Sequence, residues 1–267
     1  MKVTAVLQWY DEPPELLDRC IRSLAVVADH LLAVDGAYAR FPGGKPASSP
    51  EQAEAIRMAA DAIGLDCTVL VPDRLWAGQV EKRDVMFGLA SIDSDWVLPV
   101  AADEIVVGNQ TADRGRLALR SFLVNAPLDA YDVSFHTPES HDRPLEDAAA
   151  TKWARDLAGK TITTTRFHRS LSNLRCERFH WWISALKNGE KVWLSGGDDD
   201  PHRKIERGLI PAPLYTIEHH CLTRDDQHIL PNRAFCNDRV MVVEQTGQED
   251  DRPDLPRPVW DYVSTLV

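Results

Sequence analysis

No apolar run in the 267-residue chain approaches the ~20 residues that a membrane helix needs, so no spanning segment is expected. The first residues, MKVTAVLQWYDEPPELL, carry one lysine and only a short apolar run before Asp11, which does not make a signal peptide. Five cysteines, Cys20, Cys67, Cys176, Cys221 and Cys236, include no CxxC spacing. An odd, dispersed set argues against a disulfide frame or a zinc site and fits reduced thiols in a cytoplasm. Cations are in deficit, 30 Lys and Arg against 41 Asp and Glu, for a net charge of −11. General affinity for nucleic acid or anionic membranes needs the opposite balance. Internal repeats and low-complexity linkers are also missing. What is present, 44% hydrophobic and 27% charged residues, suits one substantial core.

Along the chain, Val3 to Trp9 is an apolar run of strand formers, expected as a buried parallel strand. Pro13 and Pro14 then stand where helices begin, and apolar residues recur at helical spacing from Glu15 to Ala28. His30 to Val34 predicts a second strand, the punctuated segment 37–50 a loop, Ser49-Pro50-Glu51 the opening of a helix that runs to about Ile63 and stops at Gly64, and Cys67 to Val71 a third strand. Three such units in sequence imply right-handed crossovers and a parallel sheet covered on both faces. Later, Arg114 to Val124 and Glu177 to Lys187 read as helices. Ala130 to His136, Thr161 to His168, Lys191 to Leu194 and Leu214 to Cys221 read as strands, followed by a helix from Asp225 to Val243. The expected division is 1–108, 109–247 as a second half of the same domain, and an extended acidic, proline-rich tail at 248–267.

The stretch that organises the rest is WAGQVEKRDVMFGLASIDSDWVLPVAADE, Trp76 to Glu104. An amphipathic helix with Lys82 and Arg83 near its start leads into a strand, Asp95 to Val100, that ends at Asp103 and Glu104. Acids at the carboxyl end of a strand, with cations on the preceding helix, suit a metal and a diphosphate held together. In open parallel sheets ligands bind at that edge, so Asp11, Asp35, Asp73 and Asp103 are expected to converge on one crevice.

With these acids in place, the chain resembles the family 2 type glycosyltransferases of the GT-A fold. Val6-Leu7-Gln8-Trp9-Tyr10-Asp11-Glu12 stands where that family has a strand ending in Asn-Glu, and Ser23 to Gly36 is similar to its apolar strand ending in Asp-Gly. Lys82-Arg83 matches its basic pair, Asp95-Trp96-Val97-Leu98 through Asp103-Glu104 its metal-binding run, and Arg166-Phe167-His168-Arg169 its Arg-Leu-Phe-Arg strand. Ala101 departs from the pattern, standing where the family has its first motif aspartate.

The resemblance implies a GT-A, Rossmann-like α/β domain with a mostly parallel central sheet flanked by helices and a smaller acceptor-side half. It implies a hexosyltransferase-like enzyme moving sugar from a nucleoside-diphosphate donor, UDP-linked, with Mn²⁺ or Mg²⁺. The leaving diphosphate gains charge as its bond to the anomeric carbon breaks, which a hard divalent cation stabilises. Asp103 is the expected metal carboxylate, with His219 or His220 as second ligand. Lys82 and Arg83 would neutralise phosphates or orient the ribose, Asp35 would accept a uracil N3–H, and Tyr10 would stack on the base. Asp11 and Glu12 either serve the nucleotide or cap the helix at Pro13. For an inverting reaction the base candidates are Glu177 and the turn Asp198-Asp199-Asp200.

Alternatives remain for several of these residues. Lys82-Arg83 also reads as a surface pair, and His180-Trp181-Trp182 as an acceptor platform or as core. The acceptor, whether glycan, small molecule or modified nucleic-acid base, is left open, with Arg166, Arg169, Arg175 and Arg178 the one hint of a polyanion. Two other functions compete. A sugar-nucleotide nucleotidyltransferase would carry a Gly-rich phosphate loop that QWYDEPP lacks. A non-catalytic nucleotide-binding module of the same fold is suggested by Ala101.

Overall fold

The computed structural model describes residues 1–39, 43–108, 112–138, 159–178, 182–196, 205–212 and 214–220. The expected helix at 225–243, the tail at 248–267, and Asp198, Asp199, Asp200, His180 and Trp181 lie outside the described residues.

Strand β1 (Val3–Gln8) is buried along nearly its whole length, as its unbroken apolar sequence requires. Helix α1 (Pro14–Ser23) follows, burying Leu16, Leu17, Cys20 and Ile21 on one stripe. Next come β2 (His30–Val34), α2 (Pro50–Asp61), β3 (Asp66–Leu70), α3 (Gln79–Ser91) and β4 (Trp96–Ala101). β1 pairs in parallel with β2 on one side and β4 on the other, and β2 with β3. The chain thus lays down 3-2-1 in one direction and returns to place β4 beside β1. This makes the β1/β4 junction a topological switch point.

Two residues, Ala102 and Asp103, separate β4 from β5 (Glu104–Val107). After α4 (Ala112–Val124) come β6 (Ala130–His136), β7 (Thr161–Arg169), β8 (Ser172–Arg178), β9 (Trp182–Lys187), β10 (Glu190–Ser195), β11 (Gly208–Leu209) and β12 (Thr216–His219). The main sheet runs β3-β2-β1-β4-β7-β6-β12-β5, with β11 also on β6. β7 is antiparallel to β4 and β6, and β5 is antiparallel to β12. The sheet is therefore mixed: the expected parallel character holds from β3 to β4, and antiparallel pairing enters beyond it. Because β4 and β5 are joined by two residues yet have three strands between them in the order, the sheet curls back on itself.

The helix expected at 177–187 is a correction. Within that span, 177–178 end β8 and 182–187 form β9 of a separate antiparallel sheet, ordered β10-β9-β8. Asn188 (φ 55°) and Gly189 (φ 85°) make the two-residue turn between β9 and β10. Left-handed angles at both positions match the twist of a hairpin, and Asn-Gly is the pair that tolerates them. This small sheet packs on α3, which is enclosed between the two sheets. Enclosure buries Lys82, Arg83 and Asp84 together, so the basic pair is not a surface pair on an amphipathic helix. Asp84 instead accepts Arg175 at 3.0 Å and the backbone N–H of Cys176 at 3.2 Å, fastening the helix to the small sheet.

Candidate functional site

The carboxyl ends of β1 and β2 are joined by one hydrogen-bonded cluster. Asp35, buried at the end of β2, accepts the N–H of Gly36 at 2.6 Å, the hydroxyl of Ser48 at 2.6 Å and the N–H of Ser48 at 2.8 Å. Burial pushes its carboxyl above the usual range, and these bonds and the charge of Lys82 oppose the shift. Ser48 Oγ also accepts the N–H of Asp11 at 2.8 Å, and Tyr10 Oη accepts the N–H of Lys45 at 2.9 Å. Tyr10, Asp11 and Asp35 thus share one partner segment, the end of the loop that follows β2. Ser48 gave no signal in the sequence beyond ordinary loop composition.

Gly36 is fixed by geometry as well as conformation. Its φ is +103°, and a Cβ there would meet Pro46 O at 2.3 Å, Pro72 Cγ at 2.7 Å and Trp76 Nε1 at 2.9 Å. The Trp76 indole donates to Asp35 O at 2.7 Å, closing the cluster from the α3 side.

Lys82 reaches this cluster from the first turn of α3. Its ammonium donates to the carbonyls of Trp9 (2.7 Å) and Gly36 (2.8 Å), bridging the ends of β1 and β2, and the residue is 2% exposed. Burial pulls its pKa down to about 7, while Asp35 and the buried Glu12 act in the opposite direction. A lysine buried in this way, bonded to two carbonyls, ties the ends of β1 and β2 together and does not present its ammonium to solvent. Arg83, also buried, shares this turn. The residue at the N-cap of α1 is Pro13, which makes no side-chain cap bond, with Asp11 and Glu12 just before it.

On the other side of the switch point, Asp103 sits in the turn between β4 and β5. His219, at the end of β12, places Nε2 3.4 Å from Asp103 Oδ2, and both side chains are buried. The ring of His219 lies 5.0 Å from that of Phe135. His220 does not join them through its ring: its N–H donates to Asp103 O at 2.7 Å, and its Nε2 lies 3.3 Å from Glu218 Oε2. Behind this pair, Glu104 accepts the N–H of Ala101 at 3.1 Å and pairs with Arg166. Buried Tyr215 adjoins Glu104, and burial together with that charge pushes its phenol well above the usual range.

Two donors of one octahedral ion, each at about 2.1 Å, stand about 3 Å apart. The Asp103–His219 separation fits that requirement, with remaining positions left for phosphate oxygens and water. Among the described residues no group of three or more His, Cys, Asp or Glu is gathered for a metal.

Glu177 lies elsewhere, on the small sheet. It accepts Ser184 Oγ at 2.5 Å and pairs with Lys191 at 2.8 Å. Burial raises its pKa, but these bonds and the charges of Lys191 and Arg175 outweigh it, leaving a lowered value. A general base needs a pKa near the working pH, so this environment suits the role poorly. The arginine cluster also disperses: Arg166 pairs with Glu104, Arg169 with Asp129 and Arg175 with Asp84. No helix among the described residues is long and apolar enough to cross a membrane. No protein-family model matches the chain, and no curated protein matches it in sequence.

Proposed function

We propose that the chain is a glycosyltransferase of GT-A type, moving sugar from a nucleoside-diphosphate donor with assistance from a divalent cation. The observation that carries the reading is the Asp103–His219 pair, 3.4 Å apart at the carboxyl edge beside the β1/β4 switch point. A bound Mn²⁺ or Mg²⁺ would serve as a Lewis acid toward the leaving diphosphate. Asp103 and His219 would hold it from the protein side. Lys82, bridging Trp9 O and Gly36 O, would make the neighbouring crevice favourable for phosphate charge without touching it. Tyr10 and Asp35 would serve the base, with a uracil N3–H exchanging with Ser48 for the Asp35 carboxylate.

The test is a thermal-shift series with nucleoside diphosphates and UDP-sugars, each with Mn²⁺, with Mg²⁺ and with chelator, because a ligand bound only by the native state raises Tm. A metal-dependent shift that Asp103→Ala removes, together with lost donor turnover in a folded variant, is the expected result. Unaltered turnover in Asp103→Ala would sink the reading.

A second reading, a non-catalytic module of the same fold, draws on the Asp35 geometry. Both carboxylate oxygens already accept hydrogen bonds from Gly36 and Ser48. The absence of a shift with every diphosphate would favour it.

A further inference from the structure

We propose that Arg166 is a positioning residue for the Asp103–His219 pair, holding Asp103 through Glu104 and His219 through Phe135. This rests on the transferase reading and deepens it by naming a side chain that sets the spacing of the two ligands from behind them.

Arg166 reaches its place because β7 carries one residue more than β6 can match. The register passes from Tyr131↔Phe167 to Asp132↔Thr165 and skips Arg166. In a regular strand neighbouring side chains point to opposite faces. Here two neighbours share one. Phe167 lies in the main core, its ring 5.3 Å from that of Tyr215, and Arg166 pairs with Glu104 on the same side. Thr165 and His168 keep to the other face, where they meet Asp132 and Ser195. Bulges re-aim side chains in this way and concentrate near active sites.

One arm runs through Glu104. Its Oε1 accepts Arg166 Nη2 at 2.5 Å and its Oε2 accepts the N–H of Ala101 at 3.1 Å. Ala101 and Glu104 bracket Ala102 and Asp103, so this carboxylate closes the turn that carries Asp103, and Arg166 fixes the carboxylate.

The second arm runs through Phe135. The guanidinium of Arg166 lies 5.4 Å from the centre of the Phe135 ring, and the ring of His219 lies 5.0 Å from the same ring. Strand pairing joins the arms, since His219 stands opposite Glu104 in the β12–β5 ladder and the His220 N–H donates to Asp103 O at 2.7 Å. Arg166, Glu104, Phe135, Asp103 and His219 are all buried. A displacement of Arg166 therefore passes to both members of the pair.

The plain explanation is an ion pair that stabilises the core. Burial makes that explanation weak, because desolvation offsets the attraction and apolar side chains of similar volume often serve as well or better. The neighbours Phe135, Phe167, Tyr215 and Ile217 already form such a core. What a guanidinium adds is a planar fork for a carboxylate and a flat cationic face for a ring. Arg166 uses both, and each leads to one of the two ligands.

The test separates stability from positioning in Glu104→Gln/Arg166→Met, which leaves neither charge unpaired. Urea unfolding measures the first. Mn²⁺ affinity, from the EPR signal of free Mn²⁺ titrated alone and with UDP, measures the second. Stability near that of the wild type is expected together with a Kd for Mn²⁺ raised about 10- to 100-fold, the usual effect of losing groups that orient metal ligands. Arg166→Lys keeps the charge without the fork or the flat face, so it is expected to be more stable than Arg166→Met and still to bind Mn²⁺ more weakly than the wild type. Wild-type Mn²⁺ affinity in the folded double variant overturns the proposal. Hydrogen exchange at the His220 amide reads the same geometry with no metal present, and faster exchange is expected in the double variant. If the wild type binds no Mn²⁺ with or without UDP, the metal-assisted reading fails. The His220 amide then decides the positioning role by itself: faster exchange in the double variant supports it, and unchanged exchange overturns it.

Discussion

Arg166 and Glu104 form an ion pair 2.5 Å long within the curl of the main sheet, and their side chains are 6% and 5% exposed. Arg166 comes from the bulge in β7 and Glu104 from the start of β5, so the pair links two strands that are not neighbours in the sheet. Removing one partner leaves a buried charge uncompensated, which costs about 3–5 kcal/mol. Glu104→Gln is therefore expected to lower urea-unfolding stability by that order. The double variant Glu104→Gln/Arg166→Met is expected to recover much of the loss, and a double variant as unstable as the sum of the singles would contradict this.

Gly36→Ala tests the crowding at the end of β2. Left-handed strain costs about 1–3 kcal/mol at such sites, and the new Cβ would also meet backbone at 2.3 Å. Gly43 has a similar left-handed φ of +69° but nothing within 4 Å of its added Cβ. Gly43→Ala should cost only the strain, so Gly36→Ala is expected to be clearly the less stable of the two by thermal unfolding.

Lys82 gives a pH dependence whose sign can be worked out. Its native pKa is down at about 7 against the ordinary lysine value of 10.5, so between these values the unfolded chain holds one more proton than the native one. Stability contributed through this group rises with pH across that window, by at most about 1.4 kcal/mol per pH unit. Chemical denaturation at pH 7 and pH 9 should show this rise in the wild type and less of it in Lys82→Met. A rise of the same size in the variant would assign it to other groups.

His168 acts in the acid range. Its ring, packed at 5.7 Å from Phe87 and 3.1 Å from Ser195 Oγ, is fully buried, and burial and Arg166 pull its pKa down to about 3. The unfolded chain takes up this proton near 6.5 and the native state does not, so stability falls as pH drops from about 6.5 toward 3. His168→Gln is expected to flatten the unfolding midpoint between pH 6.5 and pH 4, whatever its effect at neutral pH.

Much of the first half was legible because its signals are local. The apolar runs at 3–9 and 30–34 are strands with nearly the expected ends, and Pro14 and Pro50 open α1 and α2. The second half was less legible where turn chemistry went unread. Asn188-Gly189 is a strong hairpin signal, and it marks 182–187 as a strand that apolar spacing alone had suggested to be helix. At the site, Asp103 and His219 are brought together from 116 positions apart, while His220 is turned to Glu218. Alternation in β12 required the two histidines to part, but only the pairing of β12 with β5 selected which one meets Asp103.

By itself the sequence determined the order of the early strands and helices and the delivery of Asp35 and Asp103 to the ends of β2 and β4. Periodicity, proline and strand-end composition act within a few residues, so they can be read in one dimension. The tertiary structure decided what those ends touch. Enclosure of α3 between two sheets turned Lys82 from an apparent surface cation into a buried bridge between Trp9 O and Gly36 O, and the curl of the sheet set Arg166 against Glu104. Burial and long-range pairing fix the electrostatics of a group, and both depend on segments distant in sequence that meet only when the sheet has closed.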